Sequence, residues 1–280
     1  MKFGHLFNSL APVFAVAMAA GLTGCDGSKI SINGEEGKKL SELDLSGSAP
    51  DELAMFGPDK VELTEGDKLA ITVDGDPDAV AQVRFTLKDG TLGILRADKV
   101  FSSGGKTAVI HVTMPAPRDI SMLGSGSINA AVLARDAKVI IAGSGQVETQ
   151  RVGGGKFEVT MPGSGSIRAA GTVDDLDLTI LGSGNAELAA VQTAKAKVTI
   201  AGSGGATFAS DGDVDATIMG SGTVTVKGRA RCTVSAMGSG KLVCEDGVRE
   251  EDASSPRAPE SMGVDNNPKP PAAPPAPPKP

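Results

Sequence analysis

Apolar and polar residues alternate through most of residues 119–245, and a Gly-Ser-Gly triplet interrupts the alternation at a nearly constant interval. The triplets begin at Gly124, Gly143, Gly163, Gly182, Gly202, Gly220 and Gly238, in steps of 19, 20, 19, 20, 18 and 18. Two positions before the first glycine stand Met122, Ile141, Met161, Ile180, Ile200, Ile218 and Ala236. Four before stand Ile120, Val139, Val159, Leu178, Val198, Ala216 and Val234. Serine, threonine and charged side chains occupy most of the positions between. A period of two with one apolar face predicts a half-buried strand running into each turn. Four positions past the first glycine the apolar column resumes, at Ile128, Val147, Ile167, Ala186, Ala206, Val224 and Leu242. A second strand therefore leaves each turn.

No single repeat of this kind can bury its apolar face alone. Stacking the repeats in register closes a shared core, which predicts an all-β parallel β-helix, or solenoid, with rungs of about nineteen residues. Seven layers at ~4.8 Å each make a rod about 30 Å long. Thr160, Thr179, Thr199 and Thr217 form an outward threonine column. In the neighbouring charged column Lys138 falls between Asp119 and Glu158, and Lys197 between Asp177 and Asp215. Such a column favours one register, since a slipped rung sets like charges side by side. The glycines suit a corner that needs positive φ and close backbone approach. Ser125, Ser144, Ser164, Ser183, Ser203, Ser221 and Ser239 stack into a turn ladder of hydroxyls. The functional alternative for these turns is an anion nest of backbone N–H groups.

Cys232 and Cys244 lie six positions before and six after Gly238. In other rungs those columns hold apolar residues such as Phe157, Leu176 and Val214, or Leu188, Phe208 and Val226. Both cysteines are thus expected inside the last rung, either bonded to each other or as two buried free thiols. Upstream, residues 53–117 lack the triplet but keep strand signals. Val61–Leu63 and Leu69–Val73 flank Glu65-Gly66-Asp67, and Val83–Leu87 and Leu92–Leu95 flank Asp89-Gly90. Residues 108–114 read as another strand, closed by Pro115. These predict early, less regular rungs that cap the rod. His111 falls on the outward side of that strand.

The ends differ in kind. Lys2, an interrupted apolar stretch from Leu6 to Ala20 and the sequence Leu22-Thr23-Gly24-Cys25 resemble a lipoprotein signal peptide with its lipobox. That resemblance implies cleavage after residue 24 and lipidation of Cys25. The simpler alternative is an ordinary secretory signal followed by an incidental cysteine. Asp26 favours the inner membrane, facing the periplasm, over the outer membrane. Residues 25–52 are expected to be a linker, 53–247 the β-helix domain, and 248–280 a charged and then proline-rich tail. Eight of the thirteen residues from Pro268 to Pro280 are proline, which favours extended polyproline II.

Composition narrows the function. The net charge of −7 argues against nucleic acid as a partner, and the absence of Trp and Tyr removes stacking platforms. His5 and His111 are the only histidines, so metal sites and His-based triads lack raw material. No catalytic, metal or cofactor site is expected. The enzymatic alternative is polysaccharide chemistry on the acidic clusters Asp174, Asp175, Asp177 or Asp211, Asp213, Asp215.

The upstream motifs run in a characteristic order. Phe56-Gly57-Pro58-Asp59-Lys60-Val61-Glu62-Leu63 comes first, then Ile71-Thr72-Val73-Asp74-Gly75-Asp76. Lys88-Asp89-Gly90-Thr91-Leu92, Val112-Thr113-Met114-Pro115 and the Gly-Ser-Gly series follow. Over residues 53–245 this resembles the head GIN domain family of "putative autotransporter adhesins". The resemblance implies a right-handed β-helix in the cell envelope and supplies no catalytic residues. The sequence departs from an autotransporter in having no amphipathic strands after the repeats that would encode a membrane barrel. The expected function is an adhesin-like or scaffolding module, tied to a membrane by its lipid and binding an envelope protein or glycan. A regulatory lipoprotein acting through its tail is a further alternative.

Overall fold

The computed structural model describes residues 31–32, 34–97, 106–246 and 248–251. The signal segment, Cys25 and the proline-rich tail lie outside the described residues. The fold is a β-solenoid of about seven turns with a spacing of about nineteen residues. Its strands pair in parallel, in the register that the triplets predict. Gly143 lies beside both Gly124 and Gly163, and the column continues through Gly182, Gly202, Gly220 and Gly238. The three apolar columns are almost wholly buried. Val139, Val159, Leu178, Met161, Ile180, Ile200 and Val147 have no solvent exposure. Ala236, at the open end of its column, is half-buried.

The corner glycines meet two separate demands. Gly182 has φ +134°, and a Cβ there would lie 2.5 Å from the Gly163 carbonyl oxygen. The third residue of each triplet lacks the positive φ, but at all of them except Gly184 an added Cβ would lie less than 3.0 Å from a neighbouring atom. A Cβ on Gly204 would sit 2.6 Å from the Gly184 oxygen and 2.7 Å from Ile180 Cγ2. Only glycine satisfies both positions.

The N-terminal end is built differently from a simple run of early rungs. Glu52–Gly57 pairs in parallel with Asp119–Gly124, which places Gly57, with φ +144°, in the glycine column. Lys60–Glu65 pairs in parallel with Ser127–Ala130. Residues 52–65 are therefore a full rung in which Gly-Pro-Asp replaces Gly-Ser-Gly. The next rung outward comes later in sequence. Thr91–Arg96 pairs in parallel with Glu52–Gly57, and Ala108–Met114 with Lys60–Glu65. Val83–Lys88 and Ala70–Gly75 then pair antiparallel on that outer rung and end the stack. The Asp89-Gly90 hairpin forms as the sequence indicates. The segments on either side of Glu65-Gly66-Asp67 do not pair with each other, because residues 108–114 lie between them.

The expected linker also takes part in the cap. Lys38 bridges to Phe85, Ile32 is buried against Ala54 and Leu95, and Leu40, Leu43 and Leu45 pack on the main core. At the other end the strands continue past residue 247, with Val248–Glu251 pairing in parallel with Arg231–Gly238. Local apolar content explains the first extension: Leu40, Leu43 and Leu45 are partly buried against the core.

A candidate binding surface on the rod

The strand before each corner presents four outward columns. Nearest the corner is an apolar column: Phe56, Leu123, Ala142, Pro162, Leu181, Ala201, Met219 and Met237. Next comes the hydroxyl column, in which Thr160, Thr179, Thr199 and Thr217 are rung-to-rung neighbours. Two charged columns complete the face. The inner one runs Asp119, Lys138, Glu158, Asp177, Lys197, Asp215, and the outer one Lys156, Asp175, Lys195, Asp213, Arg231. Polarity is thus graded across one face, from apolar at the corner to fully charged at the far edge.

The charged columns interlock. Lys156 reaches Glu158 at 3.1 Å and Asp177 at 3.5 Å, Lys138 reaches Glu158 at 3.2 Å, and Arg231 reaches Asp213 at 3.2 Å. Glu158 and Asp177 are like-charged neighbours that share Lys156. Burial opposes ionisation of Glu158, but the bonds from Lys156 and Lys138 outweigh it and hold the carboxyl below its usual range. Burial likewise opposes the Lys156 charge, and its carboxylate partners hold the ammonium above its usual range. Asp119 shows the opposite balance. Burial and the adjacent Glu52 push its carboxyl up.

The two acidic clusters fall within this checkerboard and at its edge. Asp175, Asp177, Asp213 and Asp215 line an open groove of about 510 Å³ together with Lys156, Lys195 and Lys197. Asp174 lies 3.4 Å from the Arg135 guanidinium, and Asp211 accepts from the backbone N–H of Arg229 at 3.0 Å. The carboxylates are interleaved with bases along the ladder and do not face one another across a cleft. Among the described residues no cluster of His, Cys, Asp and Glu could hold a metal ion.

All seven triplet serines are exposed, so the hydroxyl ladder faces water. The turn N–H groups are engaged within the ladder. Ser144, Ser164, Ser183, Ser203 and Ser221 each donate to the first glycine's oxygen in the preceding rung, at 2.8–3.0 Å. Those five donors are unavailable for an anion, so the corners are structural turns and not nests. Cys232 and Cys244 form a disulfide across the last full rung, with Cys232 fully buried and Cys244 partly so. His111 projects outward, between Glu62 at 3.1 Å and Asp74 at 3.5 Å.

Two features escaped the sequence reading. The apolar column was legible as a row of non-polar residues directly before each first glycine, but only its outward direction makes it unusual. The other is the buried pair of Asp59 and Arg96, each with 3% of its side chain exposed. Its partners are far apart in sequence, and no local pattern joins them.

Fold and surface together define a capped β-solenoid that offers a long, regular face. The chain belongs to the family described as "putative auto-transporter adhesin, head GIN domain", whose profile matches residues 49–230. Solved structures agree in fold. A putative adhesin from Bacteroides fragilis NCTC 9343 is 22% identical with a TM-score of 0.63, covering 70% of this chain and 93% of its own. A putative lipid binding protein from Parabacteroides distasonis ATCC 8503 is 23% identical with a TM-score of 0.53, covering 70% and 93%. Its name refers to that protein's own ligand. No curated protein matches the chain. Among the described residues no helix is long and apolar enough to cross a membrane.

Proposed function

We propose that this protein is a lipid-anchored envelope protein whose solenoid is a non-catalytic, adhesin-like binding module for an envelope protein or glycan. The observation that carries the reading is the graded face. Thr160, Thr179, Thr199 and Thr217 repeat one hydroxyl at four consecutive rungs beside an apolar column, and none of these hydroxyls bonds to another group among the described residues. A row of unspent donors and acceptors at ~4.8 Å spacing suits an extended or repetitive ligand better than a compact substrate. Adhesin names among the relatives point the same way. The lipid anchor rests on Cys25 and the lipobox before it, and Asp26 favours the inner membrane.

Two measurements test this reading. Growth on labelled palmitate is expected to label the protein, and Cys25→Ser to abolish the label and release the protein from membranes. Labelling that survives Cys25→Ser removes the anchor. For the binding module, the mature chain carrying Cys25→Ser is immobilised and exposed to purified peptidoglycan, capsular glycans and matrix proteins. Binding to at least one ligand is expected, weakened by Thr179→Lys with Thr199→Lys at unchanged thermal stability. Failure to bind any of them, or binding that ignores the double substitution, overturns the role of this face.

A further inference from the structure

The exposed apolar column is the least expected feature of the surface. Of the four large hydrophobic residues exposed in the described part, three lie in it: Leu181 at 46%, Met219 at 44% and Met237 at 65%. Single exposed apolar residues are ordinary, but an unbroken row along a rod is a patch that calls for a cover. The column also has hydroxyls on both sides, the threonines on the strand and the triplet serines at the corner. None of Thr160, Thr179, Thr199 and Thr217, nor of the serines from Ser125 to Ser239, bonds through its hydroxyl among the described residues. An occupant that fits is apolar, extended and able to accept hydrogen bonds from both rows.

We propose that the proline-rich tail of this same chain, residues 268–280, lies along this column as a polyproline II strand. Four observations converge on it. First, position: Glu251 pairs with Val234, so the described chain ends one rung beyond Val234 and three positions short of the apolar column. By that register Met237, the most exposed member, lies at the end of the column nearest to where the described chain ends. Second, length: residues 268–280 span about 37 Å at ~3.1 Å per residue, and the column from Met237 to Phe56 spans about 34 Å at ~4.8 Å per rung. Residues 252–267 give slack to reach either end. Third, period: Pro268, Pro271, Pro274, Pro277 and Pro280 recur at every third residue. A polyproline II turn advances about 9.3 Å, and two rungs about 9.6 Å, so one proline edge meets every second rung in step. Fourth, chemistry: a proline has a carbonyl and no N–H, so the tail brings acceptors to two rows of free hydroxyls. Its only charged side chains, Lys269 and Lys279, are basic, and the rest of the chain without these two carries a formal charge of −9, by subtraction of +2 from −7.

The docked tail covers the column. This goes beyond the binding module itself, since a tail can dock whether or not the threonine face has a partner. The test uses the mature full chain with Cys25→Ser and a benzophenone side chain at Leu181 or Met219. Lys227, exposed on the strand that leaves the corner, is the control position. Irradiation followed by mass spectrometry is expected to join positions 181 and 219 to the 268–280 peptide within one molecule. The yield should be several-fold above that at 227 and unchanged on tenfold dilution. Glycine at Pro271, Pro274 and Pro277 should reduce it more than glycine at Pro270, Pro275 and Pro278, which leave that edge intact. Equal yields at 181 and 227, cross-links only between two copies, or equal loss from both sets of glycines would overturn the proposal.

Discussion

Asp59 and Arg96 form a buried two-pronged ion pair at the capped end of the rod, with Arg96 Nε 2.9 Å from Oδ2 and Nη2 2.5 Å from Oδ1. Asp59 stands where the other rungs have the last glycine of the corner, and its backbone oxygen accepts from Ser127 N–H at 3.0 Å. Its carboxylate also accepts from the Ala108 N–H at 2.8 Å, and Arg96 donates to the Lys106 carbonyl at 3.0 Å. One pair therefore joins the first regular rung to the outer cap rung. Pairing with Asp59 outweighs burial and raises the Arg96 pKa, so the guanidinium stays charged.

Removing either partner leaves the other charge buried and unpaired, a cost of about 3–5 kcal/mol. Asp59→Asn or Arg96→Met is expected to unfold the cap before the regular rungs. Hydrogen exchange should rise at residues 60–65 and 108–114 while residues 176–200 stay protected. The double substitution should cost less than the sum of the two. Additive losses, or exchange rising equally along the whole rod, would contradict a local clasp.

Two acids on one column are expected to respond to pH in opposite senses. Asp119 is held above its ordinary value of 3.8 by burial and by Glu52. The folded state therefore favours its proton, and its penalty appears as pH rises from the unfolded value through the raised folded one. Asp119→Asn should raise the melting temperature at pH 7 by about 1–2 °C and change nothing below pH ~3.5. Glu158 is held below its ordinary value of 4.5, so its contribution is present above that value and lost as pH falls through the lowered one. Glu158→Gln should destabilise at pH 7 and converge with the parent in acid. Melting curves of both variants from pH 3 to 7 check the pair. Parallel curves for the two would refute the assignment.

The regular rungs were legible because each apolar column repeats a local pattern, and seven copies average out exceptions such as Ala236. Cys232 and Cys244 could be placed by the same alignment, since a column position states both rung and direction. The cap's strands and its Asp89-Gly90 hairpin were legible, but its topology was not. Its strand order departs from sequence order, and pairing residues 60–65 with 108–114 rests on contacts that no short-range pattern encodes. The Asp59–Arg96 clasp failed to show for the same reason. Gly57 was within reach, since Phe56-Gly57 repeats the apolar-Gly step of Leu123-Gly124, but Pro58-Asp59 hid the match.

The corner makes a sharp contrast available within three residues. Gly182→Ala must place a Cβ at φ +134° and 2.5 Å from the Gly163 oxygen. Strain and clash together should cost at least ~2 kcal/mol. Ser183→Ala removes only an exposed, unbonded hydroxyl and should stay within ~0.5 kcal/mol of the parent. Chemical denaturation of both variants checks this. If Ser183→Ala proved as harmful as Gly182→Ala, the serine ladder would hold the rungs together, contrary to its exposure.

The disulfide spans 12 residues of sequence and encloses the corner that begins at Gly238. Cys232 stacks on Val214 and Cys244 on Val226, so the bond ties the two strands of the last full rung across the core. Closing a short loop of this kind contributes about 2–4 kcal/mol, mainly by restricting the unfolded chain. In a solenoid each rung contacts only its neighbours, so the loss on reduction stays near the end where it occurs. Treating the folded protein with reductant should therefore raise hydrogen exchange in residues 231–244, and less in 214–227. Residues 157–200 should keep their protection. Met237 sits in the same rung, so reduction should also weaken any tail docking that begins there. A uniform loss of protection from Phe157 to Leu242 would show that the rod unfolds as one cooperative unit and that the disulfide stabilises all of it.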